Sequence, residues 1–398
     1  MVSECMRPTE FGTAGAHKYE ALDGLRGIAA LGVVLYHVDW VNHFSDTQFV
    51  RNGFLFVDLF FILSGFVLAS VYRGRISTPY QLRDFLLLRF FRIYPLHVAI
   101  LAVFVLIESC KLILTKNGLV ASTGGAFSGS RSLALLPYNV FLLQGAGFIH
   151  RFTWNVPSWS ISSEAVAYLA FGAVSLGAVY RPKLLASAAI LGFTAYGILV
   201  ARAGTLDVDP SLGLIRCLAG FCLGCALYRL TAMRRAAAPL AFLANAVAIT
   251  AVAALSMVHG WSEWLMIPVF SAVVLSLQID GPGSVSVLLR SRPVAFLGTI
   301  SYSIYMTQFL ILNLFSNALK AAGGIPADNS WIGDLVVIGA VCLVVAISAA
   351  TYRLIEAPAR SYGRTLTVRA NQRPALAVGS DCCGRVTRRE LSRCRGPG

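Results

Sequence analysis

The sequence predicts an all-α protein that crosses a membrane about ten times. Of its 398 residues, 57% are hydrophobic and only 13% are charged, and the mean hydropathy is +0.69. A soluble domain carries about a quarter charged residues, whereas an apolar run of about twenty residues can cross a bilayer as a helix. Such runs occur near 22–42, 54–72, 93–114, 159–180, 184–201, 212–230, 238–258, 262–279, 294–316 and 332–352.

The basic residues give an orientation for these spans. Short cytoplasmic loops are enriched in Lys and Arg. With ten spans, both termini lie on one side, and the opposite short loops hold only Arg51, Arg202 and Lys320. We therefore predict a multi-pass protein of the cell (inner) membrane with both termini in the cytoplasm. The short loops on the side of the termini hold Arg73, Arg75, Arg83, Arg89, Arg181, Lys183, Arg229, Arg234, Arg235, Arg290 and Arg292.

A weaker apolar segment, 133–149, decides this topology. It contains Pro137, Asn139 and Gln144, and counting it as a span would invert every later helix and abolish the charge bias. We place it in a long outer loop, 115–158, as a re-entrant or interfacial helix. Irregular backbone at membrane depth needs protein or water around it.

The remaining composition divides the chain into three segments. Residues 1–21 are polar and lack the apolar core of a cleavable signal, so we expect a cytoplasmic N-terminal segment and a retained first span. We expect residues 22–360 to form the membrane domain and residues 361–398 to form a basic, disordered cytoplasmic tail. The formal net charge of +14 comes largely from basic residues in the loops on one side of the membrane, and this distribution argues against nucleic-acid binding. Cys222 and Cys225 have no accompanying His or second pair, so we expect packing and no metal site.

The first span holds polar side chains that a lipid-facing helix would not keep. Arg26 and His37 are eleven residues apart, so they fall near one helix face, about 16 Å apart along the axis. One interpretation places Asp23 and Arg26 at the mouth of the helix and His37 at the other interface. The other has them face a protein interior or a wet cavity, because charges inside a bilayer are costly.

The next two spans add further charges. We expect Asp58 to join helices, since Ser64 and Gly65 allow close approach. Arg89 and Arg92 are three residues apart and so are neighbours on one helix face at the cytoplasmic mouth. Arginine binds phosphate bidentately, so this pair predicts a phosphate site. The alternative is ordinary anchoring by positive charge.

The fourth span opens with a helix start signal, Pro157 and Ser158, followed by Glu164 in the first two turns. On the ten-span topology both Glu164 and His37 lie in the outer half of the membrane. We therefore expect that the two side chains could meet, and a buried His–Glu pair can act as a general base.

Six motifs along the chain resemble the acyltransferase family 3 membrane enzymes, which are multi-span O-acyltransferases that modify glycans. The resemblance runs from about residue 19 to 364. It maps the family's arginine–histidine motif onto Arg26 and His37, and its Arg-x-x-Arg motif onto Arg89 and Arg92. It maps the glutamate after Trp-Ser onto Glu164. The motifs are LDGLRGIAALGVVLYH, FVDLFFILSGFVLA, RFFRIYPLH, PSWSISSEAVAY, LGTISYSIYMTQF and YRLIEAPAR.

One position departs from the family pattern. Many relatives have histidine where this chain has Gln308, which puts proton handling there in doubt and leaves hydrogen bonding open. Glu356 and Pro358 match the closing motif, and we interpret them as a cytoplasmic helix end.

The resemblance implies an enzyme that moves an acyl group, most simply acetyl, from cytosolic acyl-CoA to a hydroxyl of a glycan or glycolipid near the outer face. His37 would be the base or the acyl carrier, with Arg26 and Glu164 also catalytic. Arg89 and Arg92 would hold the phosphates of acetyl-CoA, and no metal is implied. The alternative is a transporter or proton relay, since intramembrane ionisable residues also mark transport. The inverted repeats with broken helices that point to transporters are not evident in the sequence.

Overall fold

The computed structural model describes residues 19–119, 125–177, 182–233, 238–278, 283–326 and 330–368. Within these ranges the chain is helical and contains no β-strand, which confirms the all-α prediction. The α-helices are α1 Glu20–Tyr36, α2 Gln48–Arg51, α3 Phe56–Tyr72, α4 Pro79–Lys116, α5 Leu136–Val140, α6 Ser158–Leu176, α7 Pro182–Ala203, α8 Pro210–Met233, α9 Ala238–Leu255, α10 Met266–Leu277, α11 Ser284–Arg290, α12 Arg292–Thr299, α13 Ser301–Ala321 and α14 Ser330–Thr351.

Each of the ten predicted apolar runs overlaps a helix. Among the described residues, five helices are long and apolar enough to cross a membrane. The number rises to six if α12 and α13, which meet at a bend of 70°, form one broken span. The protein is thus a polytopic membrane protein, and the figure of ten spans stays a prediction.

Contacts between loops show which helix ends lie together. The connection after α1 is tied to the connections after α7, α9 and α13 by side-chain bonds of 2.7–3.0 Å. The C-terminal ends of α1, α7, α9 and α13 therefore lie on one side of the bundle. We call this side the His37 end, and the opposite side, where α3 finishes beside Arg89, the Arg89 end. The four contacts are Tyr36–Asp207, Asn52–Val258, Lys320–Asp39 and His43–Asp334.

Helix α4 is longer than the apolar run 93–114 that predicted it. It begins at Pro79, where Thr78 and Gln81 form a reciprocal capping box. Such a cap satisfies the free N–H groups of the first turn, so the helix forms well before the sequence becomes apolar. As a result Arg89 and Arg92 lie inside a continuous helix, on adjacent turns.

The segment 133–149 does not span. Its only α-helix is α5, five residues long, which is far too short to cross a bilayer. The segment instead folds against α6: the Gly145 N–H donates to Ser162 Oγ at 3.0 Å, and Ser162 Oγ donates to the carbonyl oxygen of Leu142 at 2.5 Å. His97 Nε2 of α4 lies 2.8 Å from the carbonyl oxygen of Asn139. These bonds supply the polar partners that irregular backbone needs inside a bundle.

Two close helix contacts hold the centre of the bundle. A Cβ added at Gly65 of α3 would lie 2.0 Å from the carbonyl oxygen of Phe221 in α8, so only glycine fits. On the same pair of helices, Asp58 accepts two hydrogen bonds from Arg216, with Nη2 to Oδ2 at 2.6 Å and Nε to Oδ1 at 3.1 Å. Both side chains are almost fully buried. This confirms the prediction that Asp58 joins helices.

The C-terminal part of the described chain is more ordered than the sequence suggested. After α14 a π-helical turn, Tyr352–Glu356, leads into a further helix over 357–368. Tyr362 packs against Phe91, with ring centroids 5.4 Å apart. Residues 361–368 are thus helical and packed, whereas the division of the chain at residue 361 stays a prediction. Residues 369–398, like 1–18, lie outside the described residues.

Candidate active site

A cavity of about 70 Å³ lies in the bundle between α1, α3, α4, α6 and α13. Its polar lining comes from five separate helices, and all of these polar residues lie in the motifs quoted above. The polar side chains that line it are Arg26, Ser64, Arg92, Ser160, Glu164, Ser301, Tyr302 and Tyr305.

Glu164 is held in place by two hydroxyl groups. Ser64 Oγ and the hydroxyl of Tyr168 each donate to Glu164 Oε1 at 2.5 Å. Tyr168 is one turn later in α6, so the helix itself sets that contact, and Ser64 comes from α3. A carboxylate that receives two such bonds has a fixed orientation toward the cavity.

Arg26 enters the cavity from α1, with Nη1 3.3 Å from Asp23 Oδ1. Its helix can approach α12 closely because Gly27 faces Gly298, where an added Cβ would lie 2.5 Å from the backbone nitrogen. Arg26 therefore faces a protein interior. For Arg26 the structure supports the interpretation with a polar interior, whereas Asp23, whose side chain is 44% exposed, and His37, just past the end of α1, lie at the two ends of the helix.

Arg92 and Arg89 differ in their surroundings, although they are neighbours on α4. Arg92 lines the cavity, and within the described ranges it makes no hydrogen bond or ion pair. Arg89 donates to the hydroxyl of Tyr72 at 3.4 Å, and its guanidinium lies 5.5 Å from the Tyr72 ring centre and 5.9 Å from that of Tyr168. Arg92 is therefore available to bind an anion, whereas Arg89 is already packed between rings.

His37 lies at the far end of α1, as the first residue after the helix. Its Nδ1 is 2.8 Å from the carbonyl oxygen of Val33. A carbonyl oxygen can only accept, so Nδ1 bears the hydrogen and the neutral ring presents its lone pair at Nε2. The imidazole also packs edge-on against Tyr36 and Phe309, with centroids 5.1 and 5.9 Å apart.

The expected meeting of His37 with Glu164 is wrong. Glu164 shares the cavity of Arg26, and His37 lies about 16 Å further along α1. The reason is the depth at which α6 begins. Ser160, in its first turn, bonds to the hydroxyl of Tyr305, only four residues into α13 from the Arg89 end. Helix α6 therefore starts inside the bundle, and Glu164 falls closer to the Arg89 end than hydropathy indicated.

Three hydroxyl groups at the site could not be assigned from the sequence. Ser64 and Tyr305 line the cavity, and Tyr168 bonds to Glu164, but the sequence gives Ser64 only a packing role and the two tyrosines none. A hydroxyl gives no sign in the sequence of what it will bond. The one available signal was the spacing of Glu164 and Tyr168, four residues apart on one helix face.

Gln308 and Glu356, both singled out in the sequence, occupy different environments. Gln308 is fully buried, and neither of its amide atoms, Oε1 or Nε2, has a hydrogen-bond partner among the described residues. Glu356 is satisfied: Ser303 Oγ donates to its Oε2 at 2.8 Å and Arg360 Nη1 lies 3.3 Å from its Oε1. Glu356 thus fastens the end of α14 to α13, as its interpretation as a helix end implies. No group of three metal-ligating side chains occurs in the described part of the chain.

Comparison with known proteins agrees with this site. The sequence pattern of the acyltransferase domain family (Acyl_transf_3) matches residues 19–353. The chain belongs to this acyltransferase family. The match runs over α1 to α14 and includes every helix that lines the cavity, so the protein is a membrane acyltransferase.

The curated relatives of this acyltransferase are named as a transacylase and as O-acetyltransferases. It is 26% identical over 374 residues to the putative membrane-bound transacylase BcsY of Komagataeibacter xylinus, covering 91% of this chain and 88% of that one. It is 25% identical over 381 residues to the peptidoglycan O-acetyltransferase OatA of Listeria monocytogenes, covering 88% of this chain and 57% of that protein. OatA of Staphylococcus aureus is 23% identical over 366 residues, covering 86% and 57%. The chain thus spans little more than half the length of the two O-acetyltransferases, and no solved structure matches it.

Proposed function

We propose that this acyltransferase moves an acyl group, most simply acetyl, from acyl-CoA on the cytoplasmic side to a hydroxyl of a glycan or glycolipid at the His37 end. The observation that supports this best is the placement of two functional side chains at opposite ends of α1. An arginine beside a cationic cavity lies near one end of the helix, and an imidazole with a free lone pair lies at the other. The names of the relatives support an O-acetyl transfer to a polysaccharide.

The donor would bind from the Arg89 end. Arg26 and Arg92 line one cavity that holds a single carboxylate, Glu164, so the lining has an excess of positive charge. Guanidinium groups bind phosphate and polarise carbonyl oxygens as forked donors. Because Arg92 has no partner among the described residues, it can bind the donor without first breaking an ion pair.

The transfer step needs a base at the acceptor, and His37 suits this role. Nε2 would accept the proton of the acceptor hydroxyl as its oxygen attacks the thioester carbonyl carbon. The carbon–sulfur bond then breaks, and the imidazolium returns that proton to the departing thiolate, giving an O-acyl ester and free CoA thiol. An acyl-histidine intermediate would use the same nitrogen. Both routes require the tautomer that the Val33 carbonyl selects.

The donor's narrow pantetheine arm would have to cover the distance between the cavity and His37. Helix α13 runs alongside this route: Tyr305 lines the cavity, and Phe309, one turn later, contacts the imidazole. Gln308 lies between them with both amide atoms unpaired. An amide in this position could bond to the amide groups of pantetheine. Arg26 would then act by positioning the donor, with Glu164 orienting the guanidinium groups.

The direct test uses the purified protein in lipid vesicles with radiolabelled acetyl-CoA and a polymeric or lipid-linked glycan. We expect label in the glycan as an alkali-labile ester, with an equal amount of free CoA thiol. Label that accumulates inside the vesicles as intact thioester, without ester formation, would contradict acyl transfer and support the transporter alternative.

A further inference from the structure

A second pocket, of about 290 Å³, opens at the His37 end between α4, α13 and the loop segments on either side of α5. Ligand sites start at about 300 Å³, so this pocket suits a single small ring. It is separate from the cavity that holds Arg92, with which it shares no residue. The residues that matter for its chemistry are Glu108, Lys111, Arg131, Trp154, Phe309 and Asn313.

Its wall is a network of charged and amide groups. Glu108 is almost fully buried, and Arg131 Nη1 lies 2.9 Å from its Oε1. Arg131 Nη2 also donates to Asn313 Oδ1 at 3.2 Å. The network offers carboxylate and amide oxygens beside N–H donors, and Lys111 adds a further donor. A lining with donors and acceptors side by side suits neutral hydroxyl groups, each of which can both donate and accept.

Trp154 adds an aromatic surface in an unusual backbone conformation. Its φ is +49°, and Phe127, whose ring is 6.3 Å away, has a φ of +55°. Bulky side chains rarely adopt positive φ, and such strained residues cluster at ligand sites. Trp154 is 1% exposed, yet its Nε1–H has no hydrogen-bond partner within the described ranges. A buried indole N–H normally has one.

One aromatic ring separates this pocket from the candidate base. Phe309 lines the pocket, and its centroid is 5.9 Å from that of His37. A molecule in the pocket would therefore lie across this ring from the imidazole, at the end of the bundle where the acceptor is expected.

We propose that this pocket binds one sugar ring of the glycan acceptor and brings a hydroxyl of the neighbouring unit to His37. The proposal rests on the proposed function. Sugar rings expose hydroxyl groups at their edges and C–H groups on their faces, which matches a polar network beside Trp154 and Phe309. Unlike Arg92 in the first cavity, Arg131 is already paired with a carboxylate, that of Glu108, so the two charges of this wall offset each other and favour a neutral ligand.

The test measures binding and transfer separately, with chitotetraose and cellotetraose as probes. Saturation-transfer NMR on the purified protein detects binding, and acetyl-CoA assays give the KM of each substrate. Two variants make limited changes to the pocket: Trp154→Phe deletes the N–H and one ring of the indole, and Lys111→Gln deletes a charge at its rim. The matched controls are Trp331→Phe, at an exposed residue of α14, and Lys116→Gln, at the end of α4.

We expect at least one probe to bind wild type. Its dissociation constant and acceptor KM should rise about tenfold in the pocket variants, with the acyl-CoA KM and both controls unchanged. Unaltered acceptor constants in Lys111→Gln and Trp154→Phe, or no binding of either probe, would overturn the proposal. Binding that depends on the pocket without any acyl transfer would contradict the proposed function and leave the sugar site standing.

Discussion

The imidazole of His37 bonds to the carbonyl oxygen of Val33, one turn earlier in α1, with 2.8 Å between Nδ1 and the oxygen. Because α1 ends at Tyr36, this carbonyl has no later amide of a continuing helix to accept from. The end of the helix thus fixes the ring orientation and directs Nε2 away from the backbone. No other side chain is needed to select the tautomer.

Replacing His37 by Gln should therefore slow catalysis strongly without unfolding the bundle. Glutamine retains a polar side chain but cannot take a proton, so we expect turnover to fall by about a hundredfold or more, as for loss of a general base. Turnover and protein yield are measured in the same membranes. The control is His150→Gln, at an exposed histidine in the loop before α6. Near-normal turnover of His37→Gln would remove this residue from the mechanism.

The two arginines of α4 should respond differently to conservative substitution. Arg92→Lys keeps the charge in the cavity but removes the planar fork, so we expect the KM for acyl-CoA to rise about tenfold, equivalent to about 1.4 kcal/mol. The acceptor KM should stay nearly constant. Arg89→Lys should chiefly lower thermal stability, because the stacking on Tyr72 and Tyr168 is lost.

Exposed Arg73→Lys serves as the control for positive-inside anchoring, which depends on charge alone. If Arg92→Lys leaves the donor KM unchanged, then Arg92 anchors the helix and does not bind the donor. The double Lys variant should still insert normally into the membrane.

Gln308 allows a test that separates stability from function. Its amide is buried without a partner, and such a group costs about 1–3 kcal/mol. Gln308→Leu should therefore leave the melting temperature equal or higher, while acyl transfer falls because the amide can no longer bond to the donor. Gln144→Leu is the control: Gln144 is also buried but donates to Ser158 at 3.1–3.2 Å, so its loss should destabilise the protein. Full activity of Gln308→Leu would exclude a role for the amide in transfer.

The sequence predicted what lies along single helices and missed what depends on packing between them. The separation of Arg26 and His37 follows from the rise of one helix, so it could be calculated from residue numbers alone. The burial of Asp58 implied a partner, but nothing in the sequence pointed to Arg216, 158 residues later.

Depth in the membrane was the property that hydropathy could not give. The polar residues of 133–149 indicated correctly that this segment is no ordinary span. Hydropathy does not show how far the loop enters the bundle. Its depth depends on hydrogen bonds to side chains of other helices, because His97 and Ser162 bond to carbonyl oxygens of the loop. Because the loop inserts, α6 begins deeper in the bundle. Glu164 therefore lies at the depth of Arg26 and not at that of His37.

The topology itself can be tested at two points on opposite ends of the bundle. A reporter active only outside the cytoplasm, fused after His150 in the loop before α6, should give signal. The same reporter fused after Met233, the last residue of α8, should give none, because α6, α7 and α8 together cross the bundle three times. A cytoplasm-active reporter at both points is the matched control and should give the opposite result. The reverse pattern would place His37 and the proposed sugar pocket on the cytoplasmic side, and so would contradict an extracytoplasmic acceptor.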